Sequence, residues 1–218
     1  MTSARTLMVG VAMVITLVSA ARAQQAPGLN RLFPPQELGL LEGPDRDSWQ
    51  KPDQVMDALG IADGSHVVDL GAGGGWFTVR LARRVGPNGL VYAEDIQPEM
   101  IRAITRRAQQ EGLDNVRPIL GTPGDPGLPP GQLDAALIVD SYAEMSDPVS
   151  VLRAVARALQ PKGRLGVIEF RSGHGGPGPP PEQRVDASVI TRDARLAGLQ
   201  SLGREDFLDY QFLLIFGR

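Results

Sequence analysis

An apolar run that ends in an acid and then in four glycines within five positions limits this chain more than any other feature: "HVVDLGAGGGWFT", residues 66–78. Val67, Val68 and Leu70 read as a short strand buried on both faces, and such strands belong to parallel sheets covered by helices. The next stretch, "WFTVRLARRVG", carries Phe77, Leu81 and Val85 four apart on one face. Arg80, Arg83 and Arg84 lie off that line and Gly86-Pro87 ends it. The glycines therefore sit where a strand meets a helix. In an open α/β sheet that is the end at which ligands bind, at the switch in strand order.

The alternation continues along the chain. "LVYAED" (90–95), "VRPIL" (116–120), "LDAALIVD" (133–140) and "GRLGVIEF" (163–170) read as strands, and "FLDYQFLLIFGR" closes the chain as strand material. Between them, helices are expected from Pro52 to Gly60, from Pro98 to Gly112, from an Asp147 cap and Pro148 onward, and over 182–197. "GTPGDPGLPPG" and "RSGHGGPGPPP" (171–181) hold too much Pro and Gly for regular structure. Residues 24–51, rich in Pro, Gln and Gly, read as an extended arm before a single domain over 52–218.

Composition excludes several chemistries. There is no cysteine, so disulfides, thiolate zinc sites and cysteine nucleophiles are ruled out, and only two histidines, His66 and His174, argue against a histidine-rich metal site. A formal net charge of −3 gives no basic footprint, so no nucleic-acid partner is expected. Met1–Ala23 has the layout of a secretory signal: a cation at Arg5, an uncharged run from Thr6 to Ala21, then Ala21-Arg22-Ala23 as an A-x-A-like cleavage site. The run is shorter than the roughly 20 residues of a spanning helix. Cleavage after Ala23 and a periplasmic or secreted chain without a stable membrane anchor are expected, with a monomer as the default.

Spacing narrows what the glycines hold. A phosphate loop needs Lys and then Ser or Thr after its glycines, and Trp76-Phe77 stands there instead. A dinucleotide turn wants its last glycine at position 76, where Trp76 would crowd a pyrophosphate on the helix N-terminus, which disfavours a nicotinamide-dependent oxidoreductase. What remains is G-x-G-x-G at Gly71, Gly73 and Gly75, preceded by Asp69. About 20 residues on, Asp95 closes the second strand, the position from which an acid bonds ribose hydroxyls, although capping of the helix at Pro98 is a second reading. Glu94 is expected to point to the other face.

This pattern resembles class I S-adenosylmethionine-dependent methyltransferases. "WQKP", "VVDLGAGGGWFTVRLARRVGPNGLVYAEDIQPEMI" and "ARALQPKGRLGVIEF" are similar to a bacterial group of them that often carries export signals. The resemblance implies an α/β, Rossmann-like sheet, mostly parallel with one antiparallel C-terminal strand and helices on both faces. It implies S-adenosyl-L-methionine as cofactor, held by Asp69, Gly71, Ala72, Gly73, Gly75, Asp95, Ile96, Thr122 and Asp140. Thr122 stands where an Asp is common, and Asp125 is a substitute for it at the adenine edge. The acceptor, expected to be a small molecule, would lie beyond the fourth strand at "DSYAEMSDP". Asp140, Tyr142 and Glu144 are the polar candidates for catalysis there, because Ala143-Glu144 replaces the histidines common in the group. His174 reads as a bystander in its loop. Trp49 reads either as a staple on the sheet or as part of a cofactor lid. The alternative function is a non-catalytic binding or scaffold protein that keeps the fold.

Overall fold

The computed structural model describes residues 32–173 and 175–218. The signal segment, the start of the arm and His174 lie outside the described residues. Seven strands form one sheet in the order β3-β2-β1-β4-β5-β7-β6. These are β1 (His66–Leu70), β2 (Leu90–Asp95), β3 (Val116–Leu120), β4 (Leu133–Val139), β5 (Leu159–Phe170), β6 (Gln200–Glu205) and β7 (Gln211–Gly217). The first five run parallel, and β7 runs antiparallel to both β5 and β6. The expected single antiparallel strand is therefore β7. The edge strand β6, all of it exposed, was not anticipated.

Alternation along each strand divides the core. On one face Val67, Val91, Ala135, Leu137 and Ile215 pack with Val55 and Met56 of α2 (Pro52–Ala58) and with Phe77, Leu81 and Val85 of α3 (Trp76–Val85). On the other, Val68, Leu70, Ile138, Val167 and Phe216 pack with Leu152 and Val155 of α5 (Pro148–Ala158) and with Ile190 and Ala194 of α6 (Ala187–Leu196). α4 (Pro98–Gln110) buries Met100 and Ile104. Asp147 caps α5 by accepting from the Ser150 N–H at 3.1 Å, as its position before Pro148 suggests. Among the described residues no helix is long and apolar enough to cross a membrane.

Three expectations need correction. The arm is not simply extended: it holds a 3-10 turn over Pro35–Leu41 and the helix α1 (Arg46–Gln50). Pro35 starts the turn, and Lys51 adopts a left-handed φ of 44° to join α1 to α2, since a residue before proline is disfavoured in a right-handed helix. α6 begins at Ala187 rather than 182, because the Asp186 side chain caps it by accepting from the Ser188 N–H. β5 begins four residues early, at Leu159, directly after α5.

The chain leaves β1 for β2 on one side and returns to β4 on the other, so the order switches between β1 and β4. The glycine turn lies at the carboxyl end of that junction.

Candidate active site

Three glycines of the turn take left-handed conformations: Gly71 at φ 65°, Gly73 at 55° and Gly75 at 79°. Gly71 makes the switch point close. A Cβ there would stand 2.6 Å from Cβ and Oγ of Ser141, whose hydroxyl donates to the Leu70 carbonyl at 3.1 Å. Gly73 turns its N–H to Oδ2 of Asp95 at 3.0 Å, and the Gln97 N–H donates to Oδ1 at 2.9 Å. Asp95 is thus fixed at the end of β2 by two backbone donors, each of which leaves lone pairs free on its oxygen.

A cavity of about 700 Å³ opens above this turn. Asp69, Gly71, Ala72, Gly73, Asp95, Ile96, Thr122 and Asp140 all line it, which brings together eight of the nine residues expected to hold a cofactor. Gly75 does not line it. It starts α3 and faces α4, where a Cβ would meet Ile104 Cγ1 at 3.5 Å, so its lack of a side chain serves helix packing. Gly74 lines the cavity in its place. Thr122 pairs with Asp125 in a tight turn, and Asp125 spends Oδ1 on the Gly127 N–H and stays off the cavity wall. Of the two, only Thr122 is therefore placed on the cavity wall.

Of the catalytic candidates, Asp140 and Glu144 line the cavity and Tyr142 does not. Tyr142 is buried toward α6, where its hydroxyl donates to Oδ2 of Asp193 at 2.9 Å. Burial, and then that acid, push its phenol well above its ordinary value, which suits a structural strut. Asp140 holds a left-handed φ of 55° and accepts from Gln50 Nε2 at 3.3 Å and from Gln211 Nε2. Gln50 and Gln211 are themselves fully buried and bonded to each other at 3.1 Å.

The arm supplies what sequence reading missed. Arg46 lies in the wall, its guanidinium 4.3 Å from the Trp76 ring centroid and 4.0 Å from Oδ2 of Asp140. Arg80 stacks on the same indole at 3.4 Å and pairs bidentately with Asp47 at 2.8 Å. Arg107 grips Glu42 through two bonds of 2.6 and 2.7 Å and donates to the Gly74 carbonyl at 2.9 Å. The Phe33 N–H donates to Glu144 Oε2 at 2.8 Å. Trp49 packs 6.1 Å from the rings of Phe170 and Tyr210, as a staple would, and also lines the cavity. In the sequence Arg46 stands between Asp45 and Asp47 on the arm, with no motif or period to mark it.

Two more acids were passed over. Glu94 does point to the opposite sheet face, as expected, but at the strand end that face is still cavity wall; Oε2 accepts from the Gly71 N–H at 3.4 Å. Glu169, at the end of β5, accepts from the Tyr142 N–H at 2.8 Å and is 2% exposed. Burial lifts every acid in this wall that departs from its ordinary value. Asp69 rises to about 6, against the Thr78 hydroxyl that donates to it at 2.6 Å and the nearby Arg46. Glu94 rises to about 8 and Glu144 to about 7. Asp95, Asp140 and Glu169 move the same way, and repulsion from Asp140 adds to Glu169.

A methyltransferase-domain family model matches residues 61–195, from just after α2 into the last turn of α6. The chain belongs to that family. Relatives include the nocamycin O-methyltransferase of Saccharothrix syringae, 35% identical over 131 residues, which cover 60% of this chain and 44% of the relative. The ubiquinone/menaquinone biosynthesis C-methyltransferase of Pasteurella multocida is 33% identical over 117 residues, 53% of this chain and 44% of the relative. The chain thus spans less than half the length of either. A SAM-dependent methyltransferase from Aquifex aeolicus superposes with a TM-score of 0.81 at 26% identity, over 85% of this chain and 98% of that one. The methyltransferase domain over residues 61–195 is of the S-adenosylmethionine-dependent kind.

The wall fits that cofactor. Asp95 keeps acceptor capacity that would suit ribose hydroxyls, the bare turn from Gly71 to Gly74 admits close approach, and Asp69 would be an anion for the amino group. Arg46 is the one Lys or Arg among the described residues lining the cavity, and so would be the residue to face the amino-acid carboxylate. Bound there, the cofactor supplies an electrophilic methyl group on a cationic sulfur.

Proposed function

We propose that this methyltransferase is an exported enzyme that passes the methyl group to a small-molecule acceptor inside the roofed cavity. The observation that carries the reading is the arm: Phe33, Leu41, Glu42, Arg46 and Trp49 form part of the cavity wall and are pinned across the glycine turn. A volume of about 700 Å³ falls within the range of small-molecule sites, about 300–1,000 Å³. The relatives named for nocamycin and for ubiquinone/menaquinone biosynthesis support an acceptor of that class. Export rests on the signal-like layout of Met1–Ala23. The chain's own contribution to the step is proximity and alignment, with the turn and Asp95 orienting the cofactor and the buried wall excluding water. No observation favours a non-catalytic scaffold.

The test is thermal unfolding of residues 24–218 with and without S-adenosylhomocysteine. At about 100 times its dissociation constant, a ligand raises the midpoint of a chain this size by about 5–10 °C. No shift in a folded chain would overturn the reading. The N-terminal sequence of the protein recovered from the periplasm or medium should begin at Gln24, and a chain retained in the cytoplasm with Met1 intact would overturn export.

A further inference from the structure

Past the turn, the cavity continues to the ends of β4 and β5. Its wall there combines three carboxylates, Asp140, Glu144 and Glu169, with the rings of Phe33, Trp49 and Phe170. Arg46 is already engaged: it lies on Trp76, donates to the Leu41 carbonyl at 2.5 Å and leans on Asp140. Arg184 approaches Phe170, 5.4 Å from the ring centroid, but does not line the cavity and donates to the carbonyls of Pro179 and Arg171. Glu144 and Glu169 accept backbone N–H bonds, and neither has an ion pair among the described residues. Burying carboxylates without a countercharge is costly. Anions set among aromatic faces are the surroundings that favour a cation.

We propose that the methyl acceptor is a compact basic amine, cationic in water and carried on an apolar or aromatic body, which is methylated on nitrogen and held by Glu144 and Glu169. The proposal deepens the function given above and rests on it. An acceptor bearing a carboxylate or phosphate would meet three acids here and no lining cation but Arg46, which the cofactor's carboxylate would take.

An ammonium must lose a proton before its nitrogen can attack. Glu144 is placed to take it, because Oε2 holds the Phe33 N–H while no hydrogen bond occupies Oε1. The proton passes to that carboxylate and leaves a lone pair on nitrogen. The amine then forms the N–C bond to the methyl carbon as the C–S bond breaks and its electron pair goes to sulfur. The positive charge lost by sulfur ends on the N-methylammonium product. Burial that lifts Glu144 toward neutral pH suits it to accept and return a proton.

The experiment compares one skeleton in three charge states. Binding of 2-phenylethylamine, 2-phenylethanol and 3-phenylpropanoate to the mature chain, saturated with S-adenosylhomocysteine, is measured by calorimetry. The amine should bind at least about tenfold more tightly than the alcohol, and the propanoate should not bind. Glu144→Gln and Glu169→Gln, which keep a hydrogen-bond acceptor in the same shape, should bring the amine to the affinity of the alcohol. Amine affinity no better than that of the alcohol or the propanoate, or a preference that survives in both variants, would overturn the proposal. If S-adenosylhomocysteine binds and the amine preference is absent, only the acceptor class falls. If S-adenosylhomocysteine itself fails to bind, the function falls and this proposal with it.

Discussion

Gly71 shows how one missing side chain holds the junction of β1 and β4 closed. A left-handed φ costs a residue with a Cβ about 1–2 kcal/mol, and at Gly71 that Cβ would also press on Ser141. Gly60 has a similar φ of 70° with no atom within 4 Å of the same position, so it isolates the backbone cost. Gly71→Ala should therefore lower the unfolding midpoint more than Gly60→Ala, and it alone should weaken S-adenosylhomocysteine binding. Equal effects in both assays would mean that the turn tolerates Ser141 moving aside. At this scale the sequence was legible where spacing along one segment defines the site, as with Asp69, the turn and Asp95. It was not legible where a side chain arrives from elsewhere: Arg46 from the arm, Gln211 from the last strand, Glu169 from β5. Neighbours also separate. Tyr142 sits between cavity-lining positions in sequence and turns to α6, because a 3-10 turn over Tyr142–Glu144 sends successive side chains in different directions.

Among the elements, the arm is the one whose role depends on contacts rather than on its own pattern. Glu42 ties it to Arg107 of α4, and that pair is partly exposed, with side chains 35% and 25% accessible. Exposed pairs contribute about 0.2–1 kcal/mol. Glu42→Ala leaves Arg107 on the Gly74 carbonyl and should barely move the unfolding midpoint. It should release S-adenosylhomocysteine about threefold faster or more, read by stopped-flow tryptophan fluorescence, and speed protease cleavage between α1 and the 3-10 turn. An unchanged release rate would show that the arm is wall and not latch. The strands and helices of the central fold were readable because buried strands are continuously apolar and helices repeat every three to four residues. The arm has neither period, so its helices come from Pro35, the Lys51-Pro52 junction and tertiary contacts. β6, "QSLGRE", carries no apolar alternation, being an exposed edge strand paired with β7 alone.

For the whole molecule, the acids of the wall tie stability to pH. Asp69, Glu94 and Glu144 reach about 6, 8 and 7 in the folded chain, whereas free carboxyls titrate near 4. Between about pH 4 and pH 8 the folded state therefore holds more protons than the unfolded one, and linkage makes stability fall as pH rises through that window. Asp47, held low by Arg80, acts in the opposite sense and only below about pH 4. The unliganded chain should melt at a higher temperature near pH 5.5 than near pH 8, and saturating S-adenosylmethionine should narrow the gap, because a cation in the cavity favours the ionised acids. Scanning calorimetry at the two pH values checks both statements. The buried join of Gln50, Asp140 and Gln211 has a consequence for biosynthesis. It unites a residue of α1 with one of β7, the seventh strand in chain order. A nascent chain emerging in order has its glycine turn early, yet Asp140 gains its second amide partner only after the last strand slots between β5 and β6. The pocket is therefore complete only once β7 has been made, so a product cut short before β7 would lack a finished pocket.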